Sequence, residues 1–135
     1  MKKNKPFGMP FGILMMLLLA FGANAQKTPD ITFEETVHDF GKIEQGKPVT
    51  VVFNFKNTGK APLAISDVKA SCGCTTPSYT KEPIGPKKKG SVTATFNAAG
   101  LGDFNKTVTV NTNAGGPIML TLKGTVVAKT ETTGK

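Results

Sequence analysis

Val49-Thr-Val-Val-Phe-Asn-Phe-Lys56 is the stretch that decides the fold. Val51, Phe53 and Phe55 stand two residues apart, and polar Asn54 and Lys56 follow them in the alternate positions. A period of two sends successive side chains to opposite faces, as a half-buried β-strand requires. The same pattern recurs on both sides. Ser91–Asn97 sets Val92, Ala94 and Phe96 against Ser91, Thr93 and Thr95. Lys106–Thr112 sets Val108 and Val110 against Thr107, Thr109 and Asn111, and Ile118–Val127 begins with Ile118, Leu120 and Leu122 on one side. Upstream, Ile31 and Phe33 share a face; between these runs, Leu63, Ile65 and Asp67 are predicted to share another. β-Branched residues are frequent in all of them, as strands prefer.

Turn formers separate the runs: Gly46-Lys-Pro48, Asn57-Thr-Gly59, Gly85-Pro86, Gly100-Leu-Gly102 and Gly115-Gly-Pro117. Beyond the first 25 residues no apolar pattern has helical spacing. Six or seven short strands joined by such turns predict an all-β, immunoglobulin-like antiparallel sandwich of about seven strands, with a small barrel as the structural alternative. Antibody hallmarks are missing. The chain has no tryptophan, and its two cysteines, Cys72 and Cys74, are too close in sequence to join facing sheets.

Residues 1–25 read differently. Lys2, Lys3 and Lys5 precede an 11-residue apolar run, Phe11–Phe21, and Ala23-Asn-Ala25 follows it. A basic start, a short apolar stretch and small residues two apart are the parts of a secretory signal peptide cleaved near Ala25. A bilayer core takes about 20 apolar residues, so this run predicts no transmembrane anchor. The expected organisation is a signal peptide at 1–25, a loose segment at 26–30, the sandwich at 31–128 and a disordered polar tail at 129–135. Periplasmic or secreted localisation follows as an expectation.

Cleavage would remove three lysines and no acid, so 17 basic residues become 14 against 9 acidic ones and the net charge falls from +8 to +5. All the cations are lysines. Nucleic-acid surfaces favour arginine forks and stacking aromatics, whereas Lys87-Lys88-Lys89 lies between Pro86 and Gly90 with no aromatic neighbour. It reads as a solvated turn tip, and no nucleic-acid partner is predicted.

A resemblance emerges from several motifs in order: His38-Asp-Phe-Gly41, Gly46, Phe53-Asn-Phe-Lys-Asn-Thr-Gly59, Pro62-Leu63, Ser71-Cys-Gly-Cys-Thr75, Pro83-Ile84, Phe96-Asn97 and Thr112-Asn113. The series resembles the bacterial family known as domain of unknown function 1573, small exported Ig-like domains common in Bacteroidetes-type genomes. It covers Ile31 to Val127. The resemblance implies a non-enzymatic Ig-like module, similar in fold to domains of pilus chaperones and of sperm and ciliary proteins that bind partners through exposed strands. Local physics accounts for parts of it: Asn57-Thr-Gly59 reads as a turn whose Asn and Gly accept left-handed backbone angles, and Phe40-Gly41 as a core aromatic beside a bend.

Chemistry concentrates at Cys72-Gly73-Cys74. Three readings stand together. The thiols form a disulfide, as an oxidising compartment favours; a straight strand would separate their Cα atoms by about 6.5–7 Å, so the glycine must let the chain fold tightly. Alternatively they supply half of a soft-metal site for Cu(I) or Zn(II), with His38 and Met119 as conceivable further ligands. In the third reading they are packed thiols. Cys72 and Cys74 are therefore the disulfide candidates and the candidate metal ligands. His38 beside Asp39 reads as a hydrogen-bonded polar group at a strand end. No catalytic residue, metal site or cofactor is otherwise predicted: the sequence holds no G-x-S-x-G, H-E-x-x-H or phosphate-cradling glycine loop. The function expected is a binding or structural module of the cell envelope with a protein or glycan partner. A thiol-based redox or metal-binding protein is the alternative.

Overall fold

The computed structural model describes residues 27–129; the signal-peptide reading and residues 130–135 of the expected tail lie outside the described residues. Eight strands follow one another: β1 (Ile31–Phe33), β2 (Val37–Glu44), β3 (Val49–Asn57), β4 (Ile65–Ala70), β5 (Thr75–Tyr79), β6 (Lys89–Phe96), β7 (Gly102–Thr112) and β8 (Ile118–Val127). They form two four-stranded sheets, in the orders β1-β3-β6-β5 and β2-β8-β7-β4. This is the two-sheet order of an immunoglobulin constant-type sandwich, with its first strand shared between the sheets.

That sharing turns about seven strands into eight. β1 pairs antiparallel with β3, the chain crosses the gap at residues 34–36, and β2 then joins the other sheet beside β8. β2 and β8 run parallel; the remaining pairings are antiparallel. The register of β2 breaks between Asp39 and Lys42. Gly41 occupies the break at φ +67°, a left-handed angle glycine adopts without penalty. Asp39 Oδ1 accepts the Gly41 N–H at 2.8 Å and holds the bulge.

Val51, Phe53 and Phe55 of β3 and Val92, Ala94 and Phe96 of β6 all face the interior, as their alternation demands. Val108, Val110, Leu120 and Leu122 face them from the other sheet. Each of the larger side chains contributes about 1.5–3 kcal/mol by leaving water. β4 differs from its expected pattern. A register shift between Ile65 and Asp67 advances the alternation by one position, so Val68 is buried and Asp67 is left half-exposed.

At one end, Phe96 of β6 stacks on Phe104 of β7, with centroids 4.2 Å apart and planes at 24°, and joins the two sheets. Gly124 makes room for this packing. A Cβ there would lie 2.9 Å from the Phe104 ring and 2.7 Å from the Gly41 carbonyl oxygen.

Candidate functional site

Asn57, at the end of β3, is fully buried and fully hydrogen-bonded. Its Nδ2 donates to the carbonyls of Ala61 at 2.8 Å and Ile84 at 2.9 Å. Its Oδ1 accepts from Gly59 N–H at 3.0 Å and from Asp30 N–H at 3.4 Å. The main chain adds a reciprocal clamp: Asn57 N–H donates to Lys88 O at 2.9 Å, and Lys87 N–H donates to Asn57 O at 2.8 Å. Left-handed geometry, expected for this motif, is absent. Neither Asn57 nor Gly59 has positive φ. Gly59 is required by space, since a Cβ there would collide with the backbone of Thr28, Pro29 and Asp30. The same approach places Thr28 O against Lys60 N–H at 2.9 Å and Asp30 O against Thr58 N–H at 3.1 Å. This motif is a structural pin.

Lys87, Lys88 and Lys89 are all exposed, with Lys87 at φ +64° in the turn that precedes β6. His38 lies within β2; its Nδ1 is 3.0 Å from Glu35 Oε1, and its ring meets Phe40 edge-on at 4.6 Å. Met119 is 58% exposed on β8. Cys72 and Cys74 are bonded to one another. Among the described residues no group of three or more His, Cys, Asp or Glu side chains is placed to hold a metal ion.

The cysteine bridge sits where the chain leaves β4 for β5 and changes sheets. The turn draws the two Cα atoms to 5.3 Å, inside disulfide range. Both ends of the turn are fastened: Ser71 N–H donates to Thr107 O at 2.8 Å, Thr107 N–H to Ser71 Oγ at 3.1 Å, and Asn97 N–H to Cys74 O at 3.0 Å. Beside the bridge opens a cleft of about 260 Å³, lined by Cys74, Phe96, Leu101, Phe104 and Lys106 among others. Lys106 holds a half-buried position two residues from Phe104 and two from Val108, so it shares their side of β7. Thr75, one of the few buried polar residues, sets its hydroxyl 3.9 Å from Cys74 Sγ. The sequence marked the cysteines, with Thr75 beside them in the chain, but gave no sign of Lys106, which reaches the cleft only through the folding of β7 against its neighbours.

A second, larger opening lies across β2, β8 and β7. It is a groove of about 460 Å³ lined by Asp39, Lys42, Asp103, Asn105, Lys123 and Thr125, together with Phe104 and two glycines. Its carboxylates are oriented by neighbours: Asp39 accepts from Gly41 N–H at 2.8 Å, and Asp103 accepts from Thr125 Oγ1 at 2.7 Å. The groove lies at the β2 register break, and Gly41 and Gly124 are both part of its lining.

The architecture defines a class, the immunoglobulin-like and PapD-like β-sandwiches. A Porphyromonas gingivalis W83 protein of unknown function is similar at a TM-score of 0.67 and 17% identity, over 79% of this chain and 51% of that one. The PapD-like domain 7 of human CEP192 is similar at a TM-score of 0.64 and 12% identity, over 77% and 89% of the two chains. The YadV chaperone follows at a TM-score of 0.53 and 14% identity, over 72% and 52%. This chain thus spans about half the length of the Porphyromonas protein. At such identities the likeness concerns fold. Residues 31–126 match the model of the family described as protein of unknown function 1573, and the chain belongs to that family. No curated protein sequence matches. Among the described residues no helix is long and apolar enough to cross a membrane.

Proposed function

We propose that this chain is an exported, non-enzymatic binding module of the cell envelope, which engages a protein or glycan partner through the groove across β2, β8 and β7. The carrying observation is the groove itself: two carboxylates fixed by hydrogen bonds, two lysines and an amide converge on one open surface. Such a set offers donors, acceptors and both charges at fixed positions, which suits a polar partner. Membership of a sandwich class that includes a chaperone supports the reading.

Strand addition, the other binding mode open to a sandwich, is disfavoured by the edges. β1 has three residues, β5 carries Pro77 in its middle, and both β2 and β4 have broken register. Short, proline-bearing and bulged edges resist pairing with another chain.

The test compares affinity capture from envelope extract by the wild-type chain and by a Lys42→Glu/Lys123→Glu variant. The expected result is one partner recovered by the wild type and lost by the variant. Recovery of nothing above background, or equal recovery by both, overturns the groove as the binding surface. Mass spectrometry of the chain isolated from cells tests export: the expected N-terminus is Gln26, and Met1 retained in the cytosol defeats that part.

A further inference from the structure

We propose that Cys72 and Cys74 form a thiol–disulfide exchange centre for dithiol polypeptides, in which Cys74 is the sulfur that departs as thiolate. The inference is independent of the groove and stands on the corner between β4 and β5.

The bridge is a weak candidate for a staple. It encloses a single intervening residue and ties neither sheet to the other, so it removes little entropy from the unfolded chain. The turn is already held at both ends by the Ser71–Thr107 and Asn97–Cys74 hydrogen bonds. Around Cys74, however, are the groups that stabilise a thiolate. Thr75 presents a buried hydroxyl to Sγ at 3.9 Å, able to donate to a sulfur anion. Lys106 lines the same cleft with a cationic side chain, and the one carboxylate of the lining, Asp103, is engaged by the Thr125 hydroxyl at 2.7 Å. A nearby cation and a hydrogen-bond donor both lower a thiol's pKa and make it the better leaving group. Cys72 does not line that cleft. Phe96 and Phe104 give the cleft apolar walls, Leu101 is 60% exposed beside them, and Asn97 and Asp103 add an amide and a carboxylate to the same lining.

A substrate thiolate forms a bond to Cys72 Sγ as the Cys72–Cys74 bond breaks, and the electron pair leaves on Cys74 Sγ. The second substrate thiolate then attacks the substrate sulfur of this mixed disulfide and releases Cys72 as thiolate. The substrate dithiol loses two electrons and two protons and becomes a disulfide. The protein gains them as two thiols. The reverse direction returns the bridge.

The experiment exposes the purified chain to millimolar reduced glutathione at neutral pH, quenches with acid and maps adducts by mass spectrometry, while hydrogen exchange follows the strands. In parallel, a reduced two-cysteine peptide is assayed for oxidation by the bridge. The bridge is expected to open with strand protection unchanged, the adduct to fall on Cys72, and the peptide to be oxidised mole for mole. In a Cys72→Ser chain, Cys74 is expected to alkylate with a midpoint below that of an ordinary thiol. Lys106→Met and Thr75→Val should each slow that alkylation at neutral pH, Lys106→Met by about tenfold. A bridge that resists glutathione and leaves the peptide reduced overturns the proposal. So does a Cys74 that titrates like a free cysteine and ignores both variants. So, too, does loss of strand protection on opening, which would make the bridge a staple.

Discussion

The Asn57-Thr-Gly59 corner and the Cys72-Gly-Cys74 corner are both short motifs where a strand gives way to a turn, yet their surroundings are opposite. At the first, every polar atom of a buried side chain is committed to a backbone partner, and Gly59 is wedged against the segment that precedes β1. At the second, a covalent bond is added to a turn that hydrogen bonds already hold, and a cleft with a lysine and a buried hydroxyl opens beside it. Commitment of all partners marks a residue retained for folding. Spare chemistry beside open space marks one available for something else.

Substitutions at the two corners should differ sharply in their cost to stability. Asn57→Ala should be the most damaging change, because it removes the four side-chain hydrogen bonds that tie the corner to the backbone of Asp30, Gly59, Ala61 and Ile84. The expected loss is about 3 kcal/mol in chemical denaturation. Gly59→Ala should come next, at about 2 kcal/mol, since the colliding atoms are backbone and cannot swing aside. Replacing both cysteines by serine should cost about 1.5 kcal/mol or less, the entropy of so small a ring. A double-serine chain as unstable as Asn57→Ala would erase the distinction and make the bridge structural.

How far the sequence carried the reading depends on how regular each strand is. β3, β6, β7 and β8 keep strict alternation, and most of their inward residues were legible one by one, whereas Phe104, which the reading left outside β7, and Val126 were not. β2 was not, because the bulge at Gly41 interrupts its period and its partner β8 lies at the far end of the domain. β5 was hidden by its composition: Thr75-Thr-Pro-Ser-Tyr79 contains one proline and four hydroxyl-bearing residues, and the residue it buries is a threonine. In β4 the shift near Ser66 put Val68 where alternation had placed Asp67. The turn formed by Asn57 was visible, but its reason was not, since the partners at Ile84 and Lys88 come from a distant loop. The cysteines announced themselves. The groove and the cleft did not, because each is assembled from strands that meet only in the folded sheet.

The parallel pair β2–β8 has a temporal consequence. One joins the sheet from near the start of the domain and the other from its end, at registers such as His38 against Leu122. A ribosome or a translocation channel delivers the domain from its N-terminal side, so β2 must wait, unpaired along that edge, until β8 arrives. Contacts this remote in sequence are slow to form. The domain therefore seals last where it began.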